Sequence, residues 1–223
     1  MHDELASEET ITLNLQTPGG GIQRRLPPMR HLLPIAFVSC VFAASGISQT
    51  LEPSGWRTKL EFHALNAYGP QAIVGMAAYD GFLQEINFPK EWGQGAEGYG
   101  KRFGSSLAYT GIRNTLGLGL DTVLRQDPRY QRAGDGGLWH RMKQVFRGTI
   151  LTRTDSGKET LATWRLGSAY GAAFISNQWY PERDNTVKLG LVEGSTQIGF
   201  DMLVNLSSEF WPDVKKKLLH RKP

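Results

Sequence analysis

The sequence predicts an all-α fold, a glycine-rich helical bundle, and three observations carry that expectation. Between residues 186 and 210 the positions Leu189, Val192, Thr196, Gly199, Leu203, Leu206 and Phe210 recur at spacings of three and four. That spacing holds one stripe on a helix of 3.6 residues per turn. Earlier stretches with similar periodicity are separated by Gly- and Pro-rich breaks. Small residues, finally, are arranged four apart: Gly100, Gly104 and Ala108; Gly111, Thr115 and Gly119; Gly167 and Gly171; Gly190 and Gly194; Ser195 and Gly199. Residues at i and i+4 share a helix face, so each set forms a groove where a second helix can approach closely. A mid-helix glycine costs roughly 1 kcal/mol against alanine, and so many of them call for a return in packing.

Taken in order, residues 56–68 (Trp56, Leu60, Phe62, Ala64, Leu65, Tyr68) read as a short amphipathic helix broken by Gly69-Pro70. Residues 71–86 follow, with Ile73, Val74, Ala77, Ala78, Phe82 and Ile86 near helical spacing, ended by Pro89. The Gly-rich stretch 92–100 leads into a long helix reaching about Arg125, stopped by Asp127-Pro128-Arg129-Tyr130. A turn at Gly134-Asp135-Gly136-Gly137 opens a basic amphipathic segment, 138–151. There Leu138, Met142, Val145 and Phe146 lie to one side and Arg141, Lys143 and Arg147 elsewhere. Residues 152–158 read as a loop and 161–179 as a helix stopped by Pro181. Residues 186–210 form the last helix, ended by Trp211-Pro212 and followed by a basic tail from Lys215 to Lys222. The rival fold is a small outer-membrane β-barrel, because glycine and aromatic residues are both plentiful. It needs alternating segments of ~10 residues. Thr186 to Leu191 and the set Phe200, Met202, Val204 and Leu206 alternate, yet one helical register covers both.

The amino-terminal part has the order of an export signal. Met29-Arg30-His31 precedes an uncharged apolar run from Leu32 to Ala44, and Ala43, Ala44, Ser45, Gly46 and Ser48 supply the small side chains a signal peptidase requires. The expected organisation is therefore a leader or early start at 1–28, a signal peptide at 29–48 and one helical domain at 49–223. Acidic and Gly/Pro-rich residues 1–28 do not suit the start of a signal. Two other readings are a buried apolar helix at 32–44 in a cytosolic protein and a lipoprotein acylated at Cys40, whose Phe37-Val38-Ser39 is a poor acylation pattern. Cys40 is the single cysteine, so no internal disulfide or cysteine-based metal site can form.

Removing residues 1–48 takes away three of the 25 basic and four of the 21 acidic side chains, leaving a net charge of +5. A mildly basic exported domain suits an anionic membrane surface or polymer. Scattered basic residues outside the cytoplasm argue against nucleic acid. Predicted helices carry too many charges to cross a bilayer alone: Lys101, Arg102, Arg113, Asp121 and Arg125 in one, Glu193 and Asp201 in another.

Motifs of catalysis are lacking. Gly93-Gln94-Gly95-Ala96-Glu97-Gly98 matches a dinucleotide fingerprint in letters, but no buried strand precedes it. Ser156-Gly157-Lys158 lacks the first glycine of a phosphate loop, since Thr152 stands there. His63, His140 and His220 have no metal-ligand spacing. No catalytic residue, metal or cofactor is expected. Polar side chains within the helical runs (Arg113, Asn114, Asp121, Arg165, Asn177, Glu193, Asp201 and Asn205) must be paired wherever they face the core. They read as interhelical ties. The sharper alternative is a polar pocket of Arg113, Asp121, Asn177, Glu193 and Asp201, with Asp121, Glu193 or Asp201 as acid or base.

The block Trp92-Gly93-Gln94-Gly95-Ala96-Glu97-Gly98-Tyr99-Gly100-Lys101-Arg102-Phe103-Gly104 resembles one in a family of uncharacterised exported proteins of soil bacteria. Four later blocks, Gln126 to Tyr130, Thr152 to Gly157, Ile175 to Pro181 and Glu209 to Asp213, are similar in order and spacing. The resemblance spans most of residues 56–220 and implies one coherent domain. It carries over no activity and no catalytic residue. In that family the block before Asp-Pro-Arg-Tyr is usually bulkier and more apolar, whereas Asn114 to Thr122 is glycine-rich here. The functional expectation is an exported cell-envelope protein that packs on a membrane surface or an envelope partner, with an oligomer compatible with its grooves. The alternative is a periplasmic ligand-binding protein or enzyme built on the carboxylate-lined pocket.

Overall fold

The computed structural model describes residues 55–219, so the leader, the signal, Cys40 and the end of the basic tail lie outside the described residues. The chain runs α1 (Trp56–Tyr68), α2 (Pro70–Glu85), a 3-10 turn at Lys90–Trp92, α3 (Gly95–Val123), α4 (Leu138–Ile150), strands β1 (Leu151–Arg153) and β2 (Glu159–Leu161), α5 (Thr163–Ser176), a 3-10 turn at Asn177–Trp179, and α6 (Val187–Leu219). The expected all-α class holds. A two-stranded antiparallel hairpin, pairing Leu151 with Leu161 and Arg153 with Glu159, is the sheet of the described residues. A barrel is therefore excluded.

Helix α3 is the hub. It packs against α1, α2 and α5, α5 packs in turn on α6, and α6 carries α4. The turn between α1 and α2 is a single residue. Gly69 caps α1, its N–H reaching the Leu65 carbonyl at 2.8 Å, while Pro70 opens α2 where its missing N–H is not needed. Any side chain at Gly69 would collide with that carbonyl.

Several boundaries differ from the sequence expectation. Helix α3 already begins at Gly95, so the Gly-rich block supplies its first turns. Residues 152–158 belong to a hairpin, whose backbone is tied to the end of α3 by the Asp127 N–H on Arg153 at 2.7 Å and the Asp155 N–H on Arg125 at 2.7 Å. Helix α6 does not stop at Trp211-Pro212 but continues through Pro212. Proline removes one N–H from the helix, and Arg141 holds Glu209 and Asp213 on either side of it.

The largest difference is which face each helix buries. In α1 the buried residues are Lys59, His63 and Ala67, while Trp56, Leu60, Leu65 and Tyr68 face outward. In α2 they are Asp80 and Leu83, with Val74, Phe82 and Ile86 outside. In α4 they are Arg141, Val145 and Thr149, leaving Leu138, Trp139 and Phe146 exposed. In α6 the buried positions include Gly190, Gly194, Asn205, Ser207 and Glu209, and the predicted stripe has Val192 and Leu203 exposed. The periodicities are helical as expected, but the apolar stripes do not form the core. The apolar interior is made mostly of small side chains, Ala162, Ala169, Ala172 and Ala173 among them, with Trp164, Val145 and Tyr130.

The small-residue sets divide accordingly. Gly167 and Gly171 of α5 lie under Leu120 and Leu116 of α3, Gly190 lies against Phe174 and Asn177, Gly194 against Tyr170, and Gly111 against the Tyr68 hydroxyl. At Gly100, Gly104, Gly119 and Gly199 nothing would come within 4 Å of an added Cβ, and Ala108 is exposed beside Gly104.

Candidate functional site: a polar interior in three clusters

The first cluster joins α1 to the end of α3. Lys59 and His63, four apart, point from one face of α1. Lys59, 2% exposed, donates to the Asp121 carbonyl at 3.0 Å and to Asp155 Oδ2 at 3.1 Å. The ring of His63 lies between Asn114 Oδ1 (3.0 Å from Nδ1) and Asp121 Oδ2 (2.8 Å from Nε2). Asn114 spends its amide N–H on the Thr110 carbonyl, so it presents an acceptor to His63. Both ring nitrogens therefore face oxygens. Gly117 makes room for this ring, since an added Cβ would lie 2.7 Å from His63 Cε1. Trp164 and Phe62 close the cluster edge-on, at 5.4 and 5.2 Å from the His63 ring.

The second cluster ties α4 to α6. Glu209 has no exposed surface. It accepts from the Tyr130 hydroxyl at 2.9 Å, the Ala133 and Gly134 N–H groups at 3.0 and 3.1 Å, and Arg141 Nε at 3.0 Å. Burial pushes this carboxyl up, but the donors of Arg141, Tyr130, Ala133 and Gly134 outweigh it and hold the group below the usual carboxylate range. Arg141 also pairs with Asp213 and lies over the Phe210 ring at 4.2 Å.

The third cluster is a layer shared by α2, α3, α5 and α6. Arg113 and Asp201 pair at 2.6 Å, with Arg165 at 3.7 Å from the same carboxylate. Glu193 accepts from Ser176 Oγ at 3.3 Å and from Tyr180. Burial raises its carboxyl, opposed by those two hydroxyls. Asp80, 0% exposed, takes the Ser106 hydroxyl on Oδ1 at 2.8 Å, while Oδ2 has no partner. Burial pushes Asp80 up to about 6, against the Ser106 hydrogen bond and the Arg102 charge. Tyr79 is pushed up to about 12, first by burial and then by the charges of Glu193 and Asp80. Burial likewise raises Tyr109, which feels Arg113, Asp201 and Glu193, and Tyr180, which feels Glu193 and Tyr79.

The five residues considered for a polar pocket are thus distributed unevenly. Arg113, Glu193 and Asp201 share the third cluster, Asp121 belongs to the first, and Asn177 donates to the Thr186 carbonyl at 3.0 Å near the start of α6. A shallow cleft on the described surface lies elsewhere, lined by Trp139, Met142, Lys143, Phe146 and Arg147. Among the described residues no group of three His, Cys, Asp or Glu side chains could hold a metal ion. Lys59, His63, Asp80, Arg102, Arg141 and Glu209 are central here and were not among the polar positions singled out from sequence. A signal existed. Lys59-His63-Ala67, Arg141-Val145-Thr149 and Asp201-Asn205-Glu209 each repeat every four residues.

No family model matches the chain, and no curated protein and no solved structure matches it.

Proposed function

We propose that this protein is an exported cell-envelope module that lays its apolar outer face against a lipid membrane surface. The observation that carries the reading is the inverted polarity. Charged and polar groups are gathered inside, while Trp139 (73% exposed), Trp56 (63%) and Phe146 (54%) stand outside with leucines and valines of α1, α2 and α6. Buried polar groups and exposed large apolar surface are the informative departures from ordinary globular burial. Aromatic side chains beside cations suit the headgroup level of a bilayer, where an amphipathic ring meets both apolar chains and polar heads. Helix α4 offers that combination, since Lys143 and Arg147 flank Trp139 and Phe146. No described helix is long and apolar enough to cross a membrane, so the reading is of a module lying on the bilayer.

Flotation of the full chain with vesicles of neutral and of anionic lipid tests the proposal. The protein is expected to float with both, and more with anionic vesicles at low salt. Replacement of Trp139 and Phe146 by Ser together is expected to reduce flotation at least several-fold. A wild-type chain that stays monomeric and lipid-free in both preparations would overturn the reading. The competing reading, a ligand-binding protein or enzyme, draws on one observation, that Arg113, Glu193 and Asp201 share a layer with Tyr109. Lipid-free monomers would turn attention to that layer.

A further inference from the structure

We propose that Asp80 of α2 and Glu193 of α6, carboxyl groups served by hydroxyls and by no cation, are proton-binding sites of the bundle that take up a proton at mildly acid pH and release it as the pH rises.

The case rests on what faces these two carboxyl groups. Asp121 has His63 beside it, Asp201 has Arg113 and Arg165, and Glu209 has Arg141. Among the described residues Asp80 and Glu193 have no cation within ion-pair distance, and hydroxyl groups serve them instead. Ser106 of α3 donates to Asp80, while Tyr79 of α2 and Tyr99 and Arg102 of α3 are its titratable neighbours. Glu193 of α6 meets Ser176 of α5 and Tyr180 beyond it, with Tyr79 and Tyr109 close by. Arg102 is the nearest cation to Asp80, but its guanidinium is committed to the turn before α3, donating to the Phe88, Gly93 and Pro89 carbonyls at 2.7, 2.9 and 3.0 Å.

A fully buried carboxylate with no countercharge is far more costly than a buried neutral acid. Asp80 Oδ2, without a partner inside the bundle, makes that choice acute. Its upward displacement to about 6 agrees with the geometry. A metal ion would need a third His, Cys, Asp or Glu, and none joins the pair among the described residues. The ligand is therefore the proton, taken from water as the pH falls and returned to water as it rises. The inference is independent of the membrane reading, because the groups involved lie within the bundle.

Infrared spectra of the full chain at pH 5 and pH 8 test it, with Asp80→Asn, Glu193→Gln and Ser106→Ala variants whose folding is checked by circular dichroism. The folded wild type is expected to show a protonated-carboxyl carbonyl band at pH 5 that loses at least half its intensity by pH 8. Each carboxyl substitution should remove part of that band. Ser106→Ala should move its midpoint to higher pH, since the lost hydrogen bond favours the ionised form. Absence of the band from the wild type at pH 5 would overturn the proposal. So would a band that either carboxyl substitution leaves whole in a folded variant. If those two variants do not fold, Ser106→Ala decides, because an unmoved midpoint assigns the band to other groups and sinks the idea.

Discussion

Glu209 and Asp80 are both acidic, both without exposed surface and both on long interior helix faces, yet the bundle treats them in opposite ways. Glu209 receives a guanidinium, a phenol and two backbone N–H groups, and stays ionised. Asp80 receives one serine hydroxyl, and burial shifts it toward the neutral acid. The difference teaches that a buried carboxyl has two routes to an acceptable free energy, a countercharge or a proton, and that this protein uses both within one interior.

The comparison is broken most directly by removing the countercharge. Arg141→Met strips Glu209 of its cation and is expected to destabilise the protein by about 3–5 kcal/mol, read from urea unfolding. Asp80→Asn, which keeps the Ser106 contact, is expected to cost less than about 1 kcal/mol at pH 5. Equal costs would abolish the distinction. A steric test comes next. Gly194→Ala drives a methyl into the Tyr170 ring and should cost about 1–3 kcal/mol, measured as a lowered unfolding midpoint. The pH dependence sharpens the comparison. The folded protein holds the Asp80 proton more tightly than the unfolded chain does, so this stabilisation is complete below the ordinary value of 3.8 and is lost as pH rises through about 6. A fall on the order of 3 kcal/mol is expected across that window, and the Asp80→Asn variant should be flatter. The smallest effect concerns the open face of α3. Gly104→Ala meets nothing within 4 Å and should stabilise the chain by roughly 0.5–1 kcal/mol. A loss instead would mean that another surface packs there.

Much of the secondary structure was legible in the sequence. Gly69-Pro70, Gly136-Gly137 and Pro181 punctuate the chain, and the helices between them follow from 3-and-4 spacing. Pro212 misled because tertiary ties from Arg141 override a local breaker. The site was only half visible. Arg113, Asn114, Asp121, Arg165, Glu193, Asp201 and Asn205 stood out as polar residues inside helices, and each is engaged across the bundle. Lys59, Asp80 and Glu209 did not, because an amphipathic pattern is conventionally oriented with its apolar stripe inward.

The sequence by itself determined the helices and their breaks, since both arise from backbone preferences and from periodicity within a dozen or so residues. It also determined where polar and apolar side chains fall around each helix. Only the tertiary structure decided which face goes inside. Periodicity is symmetric under that choice, and the choice depends on whether charges far apart in the chain can meet, as Lys59 meets Asp155, Arg113 meets Asp201 and Arg141 meets Glu209.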